Sequence, residues 1–551
     1  MSNWYKNAVI YQIYPQSFLD TNADGIGDIN GITKKLDYLK ELGVDALWIC
    51  PMYDSPNRDN GYDVRNYYKL QDRYGSSDDF DALIEQARKR GIRIIMDLVL
   101  NHTSNENPWF QESASSKTNK KGDWYIWRDG KPNGEPPTNW GAIFGGSAWT
   151  YCPERGQYYL HTFSPYQPDL NWESEEMKEA LFQMVRWWID RGVDGFRLDA
   201  INFLSKDLSF PDGPTENRQY ADIYPFVANR PKVHQYLAEL KHNALYDGKV
   251  LTVGEASSAT VADAISFANE LDMIFQFEHV ALDISPTIPW GAKPTDITEL
   301  KRCLNKWQTQ LHNRAWNSLF WENHDQPRIV SRLGSEYALR EKSAKMLAVC
   351  MYFMEGTPFV YQGQELGIPN TKFYSKAETR DIEVQNAFTQ LVDTGYYTED
   401  ELLEKLSRRC RDTGRTPMLW DSSEYAGFSI VQPWIKVNEH YPQINAQEQE
   451  ARDDSCLNFY KKLFQLRKTL NEVSDGEFVL LDEQDPDTFS YLRRTGHGTI
   501  AVICNFRPYA VQFPFAKLYA DAEILLSNAE HTSLRGRNEL DAFDAYVIRI
   551  E

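Results

Sequence analysis

The chain has 551 residues, 42% of them hydrophobic and 13% aromatic, enough to bury a large core and too apolar for a disordered protein. A formal net charge of −20 argues against a nucleic-acid backbone or an anionic membrane surface as partner and leaves a neutral ligand open. The seven Cys are scattered without CxxC spacing, and there is neither a basic-then-apolar leader nor an apolar run of the roughly 20 residues a membrane helix needs. Disulfide frameworks, zinc knuckles and membrane spans are therefore set aside, and a reduced, cytoplasmic protein is expected.

In chain order, a strand is predicted at "VIYQIYP" (9–15). A unit then repeats in which an amphipathic segment ends at Gly, followed by a β-branched residue and a short apolar run: "KELGVDALWICP", "RKRGIRIIMDLV" and "IDRGVDGFRLDA". Before the third, Ala180, Leu181, Met184, Val185, Trp188 and Ile189 recur at helical spacing, and Gly192 suits a left-handed helix end. Further strands are predicted at "VLTVGEA", "MIFQFEH", "SLFWENHD" and "PFVYQGQE". Eight apolar runs separated by helical material predict an α/β protein built on a parallel (β/α)₈ TIM barrel.

Two stretches break the barrel period. Residues 104–173 hold six of the 16 Trp with many Gly and Pro, and are expected to form a lobe inserted after the third strand. Residues 366–455 read as an irregular subdomain. From about 473 the pattern becomes "FVLLDE", "TFSYLRR", "TIAVICNF", "AYVIRIE", an all-β antiparallel sandwich. The expected division is 1–103 and 174–472 for the barrel, 104–173 for the lobe and 473–551 for the β domain.

Within "GFRLDA", alternation places Arg197 and Asp199 on one face of the fourth strand and Phe196 and Leu198 on the other. From this strand alone, a structural ion pair and a charged pair in the barrel mouth both stand. Beside Arg197, Asp199 is expected to stay ionised, whereas Glu255, ending "LTVGEA", is expected in apolar surroundings that raise its pKa toward that of a proton donor. Asp325 ends "WENHDQP". Acids at the C-terminal ends of three barrel strands point to catalysis, because that face carries the chemistry of such barrels.

The segments "DLVLNH" (97–102), "GFRLDAINF" (195–203), "GEA" (254–256) and "ENHDQPR" (322–328) resemble, in order, four motifs of glycoside hydrolase family 13, the α-amylase family. "QPDLN" (167–171) resembles the motif of its oligo-1,6-glucosidase and α-glucosidase branch. The resemblance spans essentially the whole chain. It implies Asp199 as nucleophile, Glu255 as acid/base and Asp325 as transition-state stabiliser, with His102, His324 and Arg197 lining the subsite of the cleaved glucose. The same roles suit a retaining glycosidase, whose two carboxyls stand about 5 Å apart.

"DNGYDV" (59–64) resembles the branch's lock on the non-reducing end, with Asp59 accepting hydroxyls and Tyr62 stacking on the sugar. "RDTGRTPM" (411–418) sets Arg411 opposite Asp59, although Thr413 and Gly414 depart from the family's Asn and Ala. A pocket closed at one end implies exo action on short oligosaccharides. Ala200 follows the nucleophile where the branch's α-1,6 enzymes carry Val, and this favours α-1,4 cleavage. Ala200 packing behind the strand is the plainer alternative.

In "DTNADGIGD" (20–28), Asp20, Asn22, Asp24, the Ile26 carbonyl and Asp28 fall at positions 1, 3, 5, 7 and 9 of an EF-hand-type loop with Gly25 at the turn. The family's similar loop implies one structural Ca²⁺ or Mg²⁺; otherwise the stretch is a polar turn. The expectation is thus a monomeric retaining α-glucosidase of short neutral α-glucosides, without organic cofactor. Oligo-1,6-glucosidase is the next reading, then trehalose-6-phosphate hydrolase and sucrose isomerase, whose loop "RRCRD" (408–412) partly echoes. A non-catalytic scaffold of this fold would have lost acids that this chain keeps.

Overall fold

The computed structural model describes residues 3–215, 218–246, 250–531 and 533–550; Met1, Ser2 and Glu551, which the expected domain ranges include, lie outside them. Eight short parallel strands, buried except at Arg93 and Glu255, close a barrel: β1 (Ile10–Ile13), β2 (Ala46–Ile49), β3 (Arg93–Val99), β4 (Gly195–Asp199), β5 (Leu251–Glu255), β6 (Met273–Phe275), β7 (Trp316–Leu319) and β8 (Thr357–Tyr361). Each neighbours its sequence successor, and β8 returns to β1. The strands read as continuous apolar runs because helices cover the outside while side chains fill the inside. Phe196 and Leu198 pack outward into the main core, whereas Trp48, Ile95, Val253, Phe275 and Phe359 form a separate cluster inside the barrel.

Register places the site. β3 and β4 pair with Asp97 opposite Arg197 and Val99 opposite Asp199, so the Asp97 and Arg197 side chains stand next to one another on the inner face. Helix Glu175–Asp190 feeds β4, and Gly192 takes the left-handed conformation between them, φ +110°. Leu36–Leu42 likewise stops at Gly43, φ +96°. These turns return the chain to the bottom of the barrel within a few residues, and the C-terminal strand ends carry the long loops.

Between β3 and β4 lie helix Pro108–Ser115 and a three-stranded antiparallel sheet of Trp127–Arg128, Gln157–Leu160 and Trp149–Cys152. After β8 the chain is less irregular than its sequence suggests. Glu399–Arg409 is a helix whose start is fixed by a Thr398/Glu401 capping box and whose Leu402, Leu403 and Leu406 are buried. Ile382–Ala387 runs into a π-helical turn, Phe388–Val392.

The terminal domain is an antiparallel sheet of β9 (Glu477–Leu481), β10 (Thr488–Arg494), β11 (Thr499–Asn505), β12 (Glu523–Ser527) and β13 (Ala545–Ile550), ordered β9-β10-β11-β13-β12. A small pair, Val511–Gln512 with Glu539–Leu540, lies beside it. Alternation sends Ile500, Val502 and Cys504 into the main core and Ala501 and Ile503 into a local one. Tyr491 anchors the sheet to helix Arg340–Tyr352 by donating to the Cys350 carbonyl at 2.9 Å. No helix among the described residues is long and apolar enough to cross a membrane.

Candidate active site

At the C-terminal mouth of the barrel, Arg197 is the hub. Its Nη1 lies 2.7 Å from both Asp97 Oδ1 and Asp199 Oδ1, and its Nη2 lies 2.8 Å from Glu255 Oε2. The guanidinium is 1% exposed and faces the rings of Trp48 and Tyr62. Three carboxylates share one buried cation, so its effect on each is diluted. Burial pushes the Asp199 carboxyl up, Glu255 and Asp97 add to the rise, and Arg197 opposes it without overcoming it. This corrects the expectation that Arg197 alone keeps Asp199 in the ordinary ionised range. Glu255 does not sit in an apolar pocket either. Its Oε2 is held by Arg197 and by the Ala200 backbone N–H at 3.1 Å, which leaves Oε1 for the cleft.

Asp325 lies six residues beyond the end of β7, on a loop rather than on the strand. Arg415 Nη2 binds its Oδ1 at 2.7 Å, Arg411 Nη1 approaches to 3.4 Å, and the Asn323 side chain accepts its backbone N–H. Burial would raise its pKa, but Arg411, Arg415 and Arg197, with His324, hold it well below the usual carboxylate range. The mouth thus contains Asp325, kept firmly ionised, and Asp199, whose ionisation as a nucleophile depends on Arg197.

The two histidines are hydrogen-bonding groups and not charges. Burial lowers His324 to about 3 and His102 to about 4. His324 Nε2 meets the Tyr62 hydroxyl at 2.7 Å, and its Nδ1 meets Gln12 at 2.8 Å. Its ring lies flat against Tyr62, with centroids 5.4 Å apart, so one face of Tyr62 is already covered by protein. Tyr62 also donates to Asp97 Oδ2 at 3.0 Å.

Asp59 and Arg411 stand opposite one another. Arg411 Nη2 lies 3.6 Å from Asp59 Oδ1, and Gln167 donates to Asp59 Oδ2 at 2.9 Å while its amide also meets His102 Nε2 at 3.2 Å. Asp59 Oδ1 and Arg411 Nε are buried without a hydrogen-bond partner, an acceptor and a donor left for a hydroxyl-bearing ligand. Asp381 organises this end by binding Arg411 at 2.8 Å and Arg415 at 2.7 Å. Sequence reasoning missed Asp381. Asp97, Gln167 and Arg415 stood inside motifs it quoted, but their partners come from other strands and loops. The Lys206 ammonium reaches Asn101 Oδ1 at 2.6 Å and Asp169 at 3.1 Å.

Ala200 and the 20–28 loop complete the expected set. Ala200 is 3% exposed and belongs to the buried apolar cluster that also holds Trp149, Phe203 and Ile223. Its backbone is left-handed, φ +49°, where a β-branched residue is strained. The 20–28 loop is closed by its own hydrogen bonds. Asp20 accepts from the backbone N–H groups of Asn22, Ala23 and Gly25 and from the Ser429 hydroxyl, which fills the four acceptor positions of a carboxylate. Asp28 accepts from Thr21 and caps the next helix at Gly31, and Asp24 accepts from Ile26 and Asn22. A cation here would have to displace some of these donors, and no group of three or more His, Cys, Asp or Glu among the described residues is placed to hold a metal.

A family model described as "Alpha amylase, catalytic domain" matches residues 12–476. An oligo-1,6-glucosidase of Parageobacillus thermoglucosidasius is 46% identical over 534 residues, covering 95% of this chain and 94% of that protein. An α-glucosidase of Pediococcus pentosaceus is also 46% identical, covering 99% of both chains. The crystal structure of Bacillus licheniformis trehalose-6-phosphate hydrolase superposes with a TM-score of 0.92 at 43% identity, over 99% of both chains. With this similarity along its whole length and the acids of its four motifs gathered at one barrel mouth, the chain belongs to glycoside hydrolase family 13, in its oligo-1,6-glucosidase branch, and is a glycoside hydrolase.

Proposed function

We propose that the chain releases glucose from the non-reducing end of short, neutral α-glucosides with retention of configuration, preferring α-1,6 linkages. The observation that carries the reaction type is Arg197 bridging Asp199 and Glu255 through its two terminal nitrogens. One guanidinium holding both acids keeps them close together, which supports the close-set carboxyl pair of a retaining enzyme. Asp199 attacks the anomeric carbon while Glu255, through Oε1, gives a proton to the departing oxygen. Glu255 then takes a proton from the water that cleaves the glycosyl-enzyme. Asp325, kept anionic by its arginines, offsets positive charge on the sugar ring. Asp59, Arg411, Gln167 and the neutral His102 and His324 supply hydroxyl partners at the closed end, which supports exo action.

The expected α-1,4 preference gives way here. It rested on Ala200 bordering the aglycone space, whereas the Ala200 methyl is buried, and several relatives carry the name oligo-1,6-glucosidase. Assaying isomaltose, maltose, sucrose and trehalose 6-phosphate side by side, with the anomer of the first product read by NMR, tests both parts. A β-glucose product overturns the mechanism, and a higher kcat/KM on maltose than on isomaltose overturns the linkage.

The loop at 20–28 is proposed to exchange part of its internal bonding for one divalent cation, Ca²⁺ or Mg²⁺, with a structural role. Its support is the alternate spacing of five oxygen donors. A reducing, cytoplasmic setting is supported by seven free, buried Cys, and a monomer is the expected state.

A further inference from the structure

Asp325 stands on a loop, so its position depends on what closes that loop. The chain leaves β7 at Leu319, passes His324 and Asp325, and reaches helix Ile329–Leu333. Near the two ends of the loop stand Glu322 and Arg328, 2% and 1% exposed, with Arg328 Nη1 3.0 Å from Glu322 Oε1. The other oxygen of Glu322 accepts the Ile329 backbone N–H. Such a pair holds its geometry strictly, because parting would leave a buried charge unpaired.

Arg328 also reaches beyond its own loop. Its Nη1 donates to the Gln362 carbonyl, just past β8, at 2.7 Å, and its Nη2 donates to the Gly414 carbonyl at 3.2 Å. Gly414 lies between Arg411 and Arg415, the two arginines that hold Asp325 ionised. One buried guanidinium therefore joins the loop that carries Asp325 to the loop that carries its counter-charges. From the other side, Arg415 Nε donates to the His324 carbonyl at 2.8 Å. The two loops press together at Gly414. A Cβ there would stand 2.8 Å from the Gln326 carbonyl oxygen, closer than a side chain tolerates, and 3.5 Å from that of Asn323. Gly414 is one of the two places where "RDTGRTPM" departs from the family's pattern, and this contact gives the departure a reason: no Cβ holds the loops apart.

We propose that Arg328, braced by Glu322, is a positioning residue for Asp325: it sets where that carboxylate stands relative to Arg411, Arg415 and the bound sugar, and Gly414 supplies the room for the close approach. At 1% exposure Arg328 acts through Asp325 and not on the substrate. A preorganised charge helps a transition state only where it is held in place before the reaction. About 1 Å of misplacement, even one caused far from the chemistry, costs about 100-fold in rate. The proposal rests on the reading of Asp325 as the carboxylate that offsets positive charge on the sugar ring, and adds what holds it there.

The test measures kcat and KM on p-nitrophenyl α-glucoside, and inhibition by 1-deoxynojirimycin, a cationic glucose analogue, for the wild type, Arg328→Lys, Arg328→Met and Gly414→Ala. Each is assayed at a temperature where its melt shows it folded. The added Cβ of Gly414→Ala parts the loops by a fraction of an ångström, so kcat is expected to fall about tenfold and the analogue to weaken by a like factor, with KM within about twofold of wild type. Arg328→Lys keeps the charge beside Glu322 but has no planar fork to span several acceptors, and is expected to retain more kcat than Arg328→Met. Should Arg328→Met fail to fold, the other two variants decide. A double-mutant cycle with Asp325→Asn separates positioning from general support: once Asp325 has lost its charge, Gly414→Ala should cost almost nothing further in kcat. Additive losses in that cycle would overturn the proposal, as would a lowered Tm with kcat and the analogue unchanged in both Gly414→Ala and Arg328→Lys. Full activity of Asp325→Asn would instead refute the role of Asp325 itself.

Discussion

Arg197→Met removes the one cation that three buried carboxylates share while keeping a flexible side chain of similar length. In the native mouth Arg197 lies within 2.8 Å of Asp97, Asp199 and Glu255. Unit charges about 4 Å apart at an effective dielectric of about 20 attract by about 4 kcal/mol. Removing that attraction raises the Asp199 pKa further, by less than the full pairwise figure because three acids share the cation and the site relaxes. The nucleophile must be ionised, so the acid limb of kcat/KM on p-nitrophenyl α-glucoside is expected to move to higher pH. Activity lost on the acid side should return in part as pH rises. Stability follows with a definite sign. Carboxyls with raised folded pKa values bind more protons folded than unfolded, so the variant's deficit of about 3–5 kcal/mol from unpaired buried charge is largest above those raised values and shrinks as pH falls through them. Thermal melts at pH 5 and pH 8, with Arg197→Lys as the charge-retaining control, read this directly. A variant whose plateau drops with no shift of the acid limb, and whose loss of Tm is the same at both pH values, would refute the account of Arg197 as the electrostatic counterweight.

The barrel was legible because a parallel sheet buried on both faces writes itself as short apolar runs, and because Gly43 and Gly192 mark where helices hand over to strands. Each of the eight predicted runs overlaps one barrel strand, although β7 begins two residues and β8 one residue before its run. Helix Glu399–Arg409 was also legible in principle, through its Thr398/Glu401 capping box and the spacing of Leu402, Leu403 and Leu406. The surrounding polar, breaker-rich sequence masked it. Asp325 was misplaced onto the end of β7 because "SLFWENHD" stays partly apolar beyond Leu319, where the strand ends.

The site was legible where residues sit inside local motifs and opaque where their roles come from pairing. Asp97 becomes a partner of Arg197 through the register of β3 against β4, about a hundred positions apart. Asp381 has no local mark, since its role is to receive Arg411 and Arg415 from a later loop. The expectation for Asp199 failed for a related reason. The sequence places Arg197 beside Asp199, but only the fold reveals that Asp97 and Glu255 draw on the same cation.

Three further outcomes are expected. Asp199→Asn and Glu255→Gln should each nearly abolish turnover without changing the fold by circular dichroism, and azide should partly rescue Glu255→Ala on an activated aryl glucoside; full activity in either variant removes that residue from the chemistry. Chelation should lower Tm while leaving the turnover of the still-folded enzyme largely unchanged; an unaltered melt with and without Ca²⁺ or Mg²⁺ would show that the 20–28 loop is a self-satisfied turn. Ala200→Val should act on stability and not on linkage. The residue combines φ +49° with 3% exposure and a place in the buried cluster of Trp149 and Phe203, so a branched side chain meets both backbone strain and overpacking, each costing about 1–3 kcal/mol. Its amide donates to Glu255 at 3.1 Å, so any shift there disturbs proton transfer equally for every α-glucoside. Tm and kcat should fall together, with the isomaltose-to-maltose ratio of kcat/KM unchanged. A selective loss on maltose would show instead that the methyl reaches the leaving sugar, and would return the linkage argument to this position.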